Sequence, residues 1–219
     1  MKKNLLIATL ASLLLASCAT QDASTPDKPD SKAVAAKSDA ATAKAALTMM
    51  KASFKARGQA EVDRLDQDET QSTCSQYEDN PPKAVAQKIE ALNQKLIVLP
   101  ADGKLLGDWK AGERIAQSGV GKQFSDDPKN PAGGNCYACH QLTQAEVSYG
   151  NIGPSLFHFG KLRGYTDTMR QYAYGKIYNA QAFSACSNMP RFGHRAILTE
   201  AQIKDVVALL MDPASPVNK

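Results

Sequence analysis

The run with the clearest chemistry is Cys136-Tyr137-Ala138-Cys139-His140. Two thiols with two residues between them can add across the vinyl groups of one porphyrin. A histidine directly after the second thiol falls beneath the iron as an axial ligand. The spacing points to one covalently attached haem c, held by Cys136 and Cys139 and ligated on its proximal side by His140. A redox dithiol would require a strand–helix frame around the motif, and none is legible. Half of a zinc site would require a second pair of ligands, and the chain has no further C-x-x-C and no H-x-x-x-H. Tyr137, between the thiols, is left open between packing on the macrocycle and another role.

The sixth ligand is expected from Met189. It lies in Ser187-Asn188-Met189-Pro190-Arg191-Phe192-Gly193, where Pro190 and Gly193 disfavour a helix and leave a loop able to present a sulfur to the opposite haem face. His194, His158 and Cys186 are rivals. Met169 and Met211 sit in helical patterns and read as core, the common role of methionine. A His/Met pair raises the reduction potential relative to two histidines, and two strong ligands leave no open coordination position. The expected role is therefore electron transfer, with no catalytic residue of its own. Arg191 and Arg195 flank the loop and read as contacts to a partner or a propionate, or as solvated surface.

Three further cysteines remain. Lys2 and Lys3 precede an apolar run from Leu5 to Leu15, too short to span a bilayer and of signal-peptide length. It ends in Leu15-Ala16-Ser17-Cys18, which resembles a bacterial lipobox. On that reading residues 1–17 are removed and Cys18 carries lipid, so the chain is periplasmic and tethered to a membrane. The alternative is an ordinary signal peptide in which Cys18 is lost. Export places the other cysteines in an oxidising compartment. With Cys136 and Cys139 assigned to haem, Cys74 and Cys186 are left to pair as a disulfide, the alternative being a free thiol.

The elements that must position these groups read as helices. Formal net charge is +4, and loss of Lys2 and Lys3 lowers it to +2, which does not suggest a nucleic-acid partner. Residues 18–45 have a tether composition, although the Ala-rich stretch from Ala33 to Ala46 leaves its end open. Residues 46–103 read as a helical N-terminal extension. One helix is expected over 47–72, weakened at Gly58, and another over 82–96 with Val85, Ile89, Leu92 and Leu96 on one face. Residues 104–219 form the haem domain. Its helices are expected at 107–118, 166–180 and from Thr199 to Asp212-Pro213, the last opened by a Thr199/Gln202 capping box. No run reads as a sheet, so the fold class is all-α.

This order of helix, C-x-x-C-H, Gly153-Pro154 turn, methionine loop and C-terminal helix resembles class I cytochromes c. The resemblance implies a hydrogen bond from His140 to the Pro154 carbonyl that would fix the ring, although the residues alone also allow an ordinary turn. A closer resemblance, over Gly107 to Pro216, is to SoxX, the monohaem subunit of SoxXA thiosulfate-oxidising complexes. It rests on Asn135-Cys-x-x-Cys-His140, Gly150-Asn-Ile-Gly-Pro-Ser-Leu156, Asn188-Met-Pro-Arg-Phe-Gly193 and Asp212-Pro-x-Ser-Pro216. That resemblance implies a SoxA-type partner, a SoxYZ-type carrier reached indirectly, and a downstream cytochrome. It also implies that the haem accepts electrons released when thiosulfate is coupled to a carrier cysteine. The lipid anchor departs from the soluble family pattern. The alternative is a stand-alone tethered cytochrome that feeds a terminal oxidase. A third reading is a haem domain that senses redox state through Cys186 or the methionine loop.

Overall fold

The C-terminal helix organises the domain. Thr199 Oγ1 accepts from the Gln202 backbone N–H at 3.2 Å, and the Gln202 side chain accepts from the Thr199 N–H at 3.0 Å. This reciprocal cap starts helix α7, Glu200–Met211, and Pro213 follows its end. Ile203, Val206, Val207 and Leu210 are buried, and so is Met211. Helix α4, Trp109–Gln117, opens on an Asp108 cap and crosses α7 in the most extensive helix–helix contact among the described residues. The crossing is close because α4 turns small residues inward. A Cβ on Gly112 would lie 2.1 Å from the Asp205 carbonyl oxygen.

The computed structural model describes residues 40–219, which fall within one compact unit. The expected signal peptide, the Cys18 lipidation site and residues 18–39 of the expected tether lie outside the described residues. Helix α6, Asp167–Tyr178, starts at a Thr166 cap and packs on α7 through Ala173, Tyr174 and Ile177. A short helix α5, Phe159–Arg163, precedes it. The structure is all-α, as expected. Among the described residues it contains no strand, only one isolated bridge between Arg57 and Ala60.

That bridge corrects the expectation of one helix over 47–72. The chain instead forms α1, Ala40–Ser53, a 3-10 turn at Val62–Leu65, and α2, Glu69–Gln76. Gly58 adopts φ +55, and a Cβ there would lie 2.1 Å from the Phe124 carbonyl oxygen, so the position needs glycine. The tight Arg57–Ala60 turn interrupts the helix. Residues 40–45, placed in the tether by composition, are instead helical. Helix α3, Lys83–Gln94, follows Pro82. Its inward face carries Ile89 and Asn93, whereas Leu96 is exposed. Asn93 donates to Thr70 Oγ1 at 3.0 Å and accepts from Asn179 at 2.9 Å, so a buried polar bridge joins α2, α3 and the end of α6.

Candidate haem site

The loop from 118 to 135 ends against α4: the Gly134 N–H donates to the Ile115 carbonyl at 2.8 Å. A 3-10 turn, Cys136–Ala138, then presents the motif. Cys136 and Cys139 are free thiols, while Cys74 and Cys186 are joined in a disulfide with Cα atoms 5.4 Å apart. Cys136 and Cys139 are both half-buried. Tyr137 turns into the core, with its hydroxyl 3.4 Å from Thr143 Oγ1.

A second strip of backbone runs beside the motif. The N–H groups of Gly150, Gly153 and Leu156 donate to the carbonyls of Tyr137, Cys139 and Gln141, each at 2.8 Å. This pairing holds Pro154 beside His140. His140 Nδ1 lies 2.7 Å from the Pro154 carbonyl oxygen. A carbonyl only accepts, so Nδ1 carries the proton and the Nε2 lone pair is directed away, free for a metal. Gly153 makes the fit possible. A Cβ there would lie 2.2 Å from His140 Cε1.

Met189 is half-buried and packs against the main core, with its N–H bonded to Ser187 Oγ at 3.2 Å. Gly193 in the same loop lies under Tyr178, whose ring a Cβ would meet at 2.2 Å. The rival donors have other surroundings. Cys186 is in the disulfide. His158 stacks on Phe157 and its Nε2 bonds to the Lys219 carbonyl. His194 is half-buried, and burial and the neighbouring Arg191 and Arg195 lower its pKa against the opposing pull of Asp68. Met211 is fully buried in the core and Met169 packs against it.

Arg191 is buried, against the expectation of a solvated surface arginine, whereas Arg195 is exposed along much of its side chain. Arg191 is 6% exposed, and its Nη2 donates to Asp68 Oδ2 at 2.6 Å. Arg195 Nη2 donates to the same oxygen at 2.8 Å and to Gln71 Oε1 at 2.7 Å. Asp68 also caps α2 by accepting from the Gln71 N–H at 2.9 Å. Burial pushes the Asp68 carboxyl up, but the Gln71 N–H and the two guanidiniums together outweigh it and hold the pKa below the ordinary value. Sequence reading missed Asp68. Its D-x-x-Q capping-box spacing was available as a helix-start signal, whereas its pairing with arginines more than 120 residues away was not.

The donor set suits a covalent haem: two unpaired thiols beside an imidazole whose tautomer leaves Nε2 open. Together with the α4–α7 crossing, it defines an all-α domain of the class I cytochrome c type. Residues 109–212 match the Cytochrome c family. A protein from Aquifex aeolicus (strain VF5) named "Uncharacterized lipoprotein" is 39% identical over 158 residues, covering 70% of this chain and 73% of that one. The chain belongs to the cytochrome c family. It is therefore a haem protein of electron transfer, carrying haem c through covalent thioethers.

Proposed function

We propose that this chain is the electron-transfer subunit of a thiosulfate-oxidising complex of the SoxXA type. It holds one haem c through Cys136 and Cys139, with His140 and Met189 as axial ligands. The observation that carries this reading is the Asn188-Met-Pro-Arg-Phe-Gly193 loop together with the Asp212-Pro-x-Ser-Pro216 tail, a combination more specific than the haem motif. The His140–Pro154 hydrogen bond supports the proximal assignment, since a proton fixed on Nδ1 leaves Nε2 basic and oriented.

When bound, the haem supplies a one-electron couple. Coupling thiosulfate to a carrier cysteine forms an S–S bond and releases one proton and two electrons, so this chain would serve as a one-electron acceptor twice per coupling, with His140 and Met189 as the ligands that would hold the iron. The role of this chain is to fix both axial ligands, so that redox change leaves the coordination intact. Among the described residues no helix is long and apolar enough to cross a membrane. Attachment is assigned to lipid on Cys18, a reading supported by the lipoprotein name of the Aquifex relative. The mature chain then works in the periplasm.

The test is a pull-down of the tagged, haem-loaded protein from native membranes, with haem staining of whatever accompanies it. A stoichiometric second haem protein, and reduction of this haem by thiosulfate only when a SoxYZ-type carrier is added, is the expected result. A lone protein reduced by generic donors and indifferent to thiosulfate overturns the reading and leaves a tethered shuttle to a terminal oxidase.

A further inference from the structure

The segment that carries Met189 is held from outside the haem motif, by residues 68–90 of the N-terminal extension. Before Met189, the Ala185 N–H donates to Glu90 Oε1 at 3.1 Å and Cys186 is bonded to Cys74. Cys74, Ile89 and Cys186 form a small apolar cluster of their own under this attachment. After Met189, Arg191 and Arg195 converge on the Oδ2 atom of Asp68. The Oδ1 atom of Asp68 caps α2, the helix that also carries Cys74. One carboxylate thus fixes the start of the bracing helix and the distal half of the loop, while the disulfide fixes the proximal half. Arg191 is buried, so this pair is far less accessible to water than a surface ion pair and its geometry is correspondingly restricted.

We propose that Asp68 is a positioning residue for the sixth haem ligand: through Arg191 and Arg195 it holds the 184–195 loop so that the Met189 sulfur stays on the iron against competing ligands. Asp68 does not touch the haem. The proposal rests on Met189 being the ligand. It gives the extension a task within this subunit, namely to restrict the opening of a loop that the haem domain itself holds at the Tyr178 carbonyl through the Gly193 and His194 N–H groups. Loss of the carboxylate removes the ion-pair partner of Arg191 and leaves Arg195 only Gln71 Oε1, while Cys186 and the Ala185–Glu90 hydrogen bond still anchor the loop before Met189.

The test uses the full, haem-loaded protein with its disulfide intact. Asp68→Ser keeps a side-chain cap for α2 but removes the acceptor of both arginines. The ferric protein is titrated with imidazole, the methionine-to-iron charge-transfer band is recorded, and hydrogen exchange is followed over residues 184–196. For Asp68→Ser the expected result is at least tenfold tighter imidazole binding, a weaker band and faster exchange in that loop, with Asp68→Glu recovering most of the parent behaviour. Asp68→Asn serves as a second neutral variant if the serine variant does not fold. Parent-like imidazole affinity and band intensity in the neutral variant overturn the proposal when Met189→Ala abolishes the band. A parent-like band in Met189→Ala removes the ligand assignment itself, and the proposal with it, and is thereby told apart from the first failure.

Discussion

At the scale of single residues, the proximal side depends on a missing side chain. Gly153 lies so close to the imidazole that a methyl group would have to occupy the space of His140 Cε1. Gly153→Ala is therefore expected to push the ring off the Pro154 carbonyl, and loss of such an outer partner costs about 10–100-fold in metal-site affinity or activity. Pyridine haemochrome per mole of purified protein, compared with the parent, measures the loss. Gly153→Ala with parent haem content and an unchanged ferrous spectrum would show that the backbone absorbs the methyl group.

At the scale of elements, the α4–α7 crossing sets two effects against each other. Alanine is favoured over glycine inside a helix by about 1 kcal/mol. Gly112 is in the interior of α4, so propensity alone predicts a gain. The added Cβ would meet the Asp205 carbonyl oxygen at 2.1 Å and the Leu209 Cβ at 3.1 Å, and overpacking of this kind costs about 1–3 kcal/mol. Backbone atoms on α7 cannot rotate away as a side-chain tip can, so the clash wins. Gly112→Ala is expected to lower the thermal midpoint, read by circular dichroism, with a rise in midpoint sinking the argument. The same crossing explains why α4 uses glycine and alanine where a larger apolar residue would give more burial.

At the scale of the whole molecule, the extension and the haem domain act as one body through Cys74–Cys186 and the Asp68 ion pairs. The disulfide spans 112 residues, and in the chain-entropy account a loop of that size is worth about 5 kcal/mol, mostly by restricting the unfolded state. Replacing both cysteines with serine is expected to reduce unfolding free energy by that order in urea titrations. An unchanged midpoint would place the extension's attachment entirely in its polar contacts. Acid should loosen the same region in two stages. His194 faces Arg191, Arg195 and Asp68, and its folded pKa lies below 6.5. A base depressed in the folded state costs stability as pH falls from 6.5 through that lowered value. Asp68 faces the same two arginines, and its folded pKa lies below 3.8. Its stabilisation is present above 3.8 and is lost as pH falls through the folded value. Loop exchange over 184–196 should therefore quicken as pH falls below 6.5 and again as it falls below 3.8, the second stage vanishing in Asp68→Ser.

The sequence by itself determined what depends on neighbours in the chain. The C-x-x-C-H spacing, the Thr199/Gln202 cap, the period of Ile203, Val206, Val207 and Leu210, and the absence of strand patterns are local, and they specify an all-α cytochrome c domain. Cysteine arithmetic left Cys74 and Cys186 over, and the fold brings them together. Tertiary structure decided what depends on distant partners. Gly58 breaks a helix because its φ is positive and Phe124 packs against it. Asn93 replaces Leu96 on the inner face of α3 because Thr70 and Asn179 satisfy its amide. Arg191 turns inward because Asp68, already fixed by its cap on α2, waits there, and the exposed Arg195 closes on the same oxygen. Spacing along a chain fixes which atoms can share one helix face or one porphyrin, whereas the burial of a charge depends on a counter-charge that only the folded chain brings within reach.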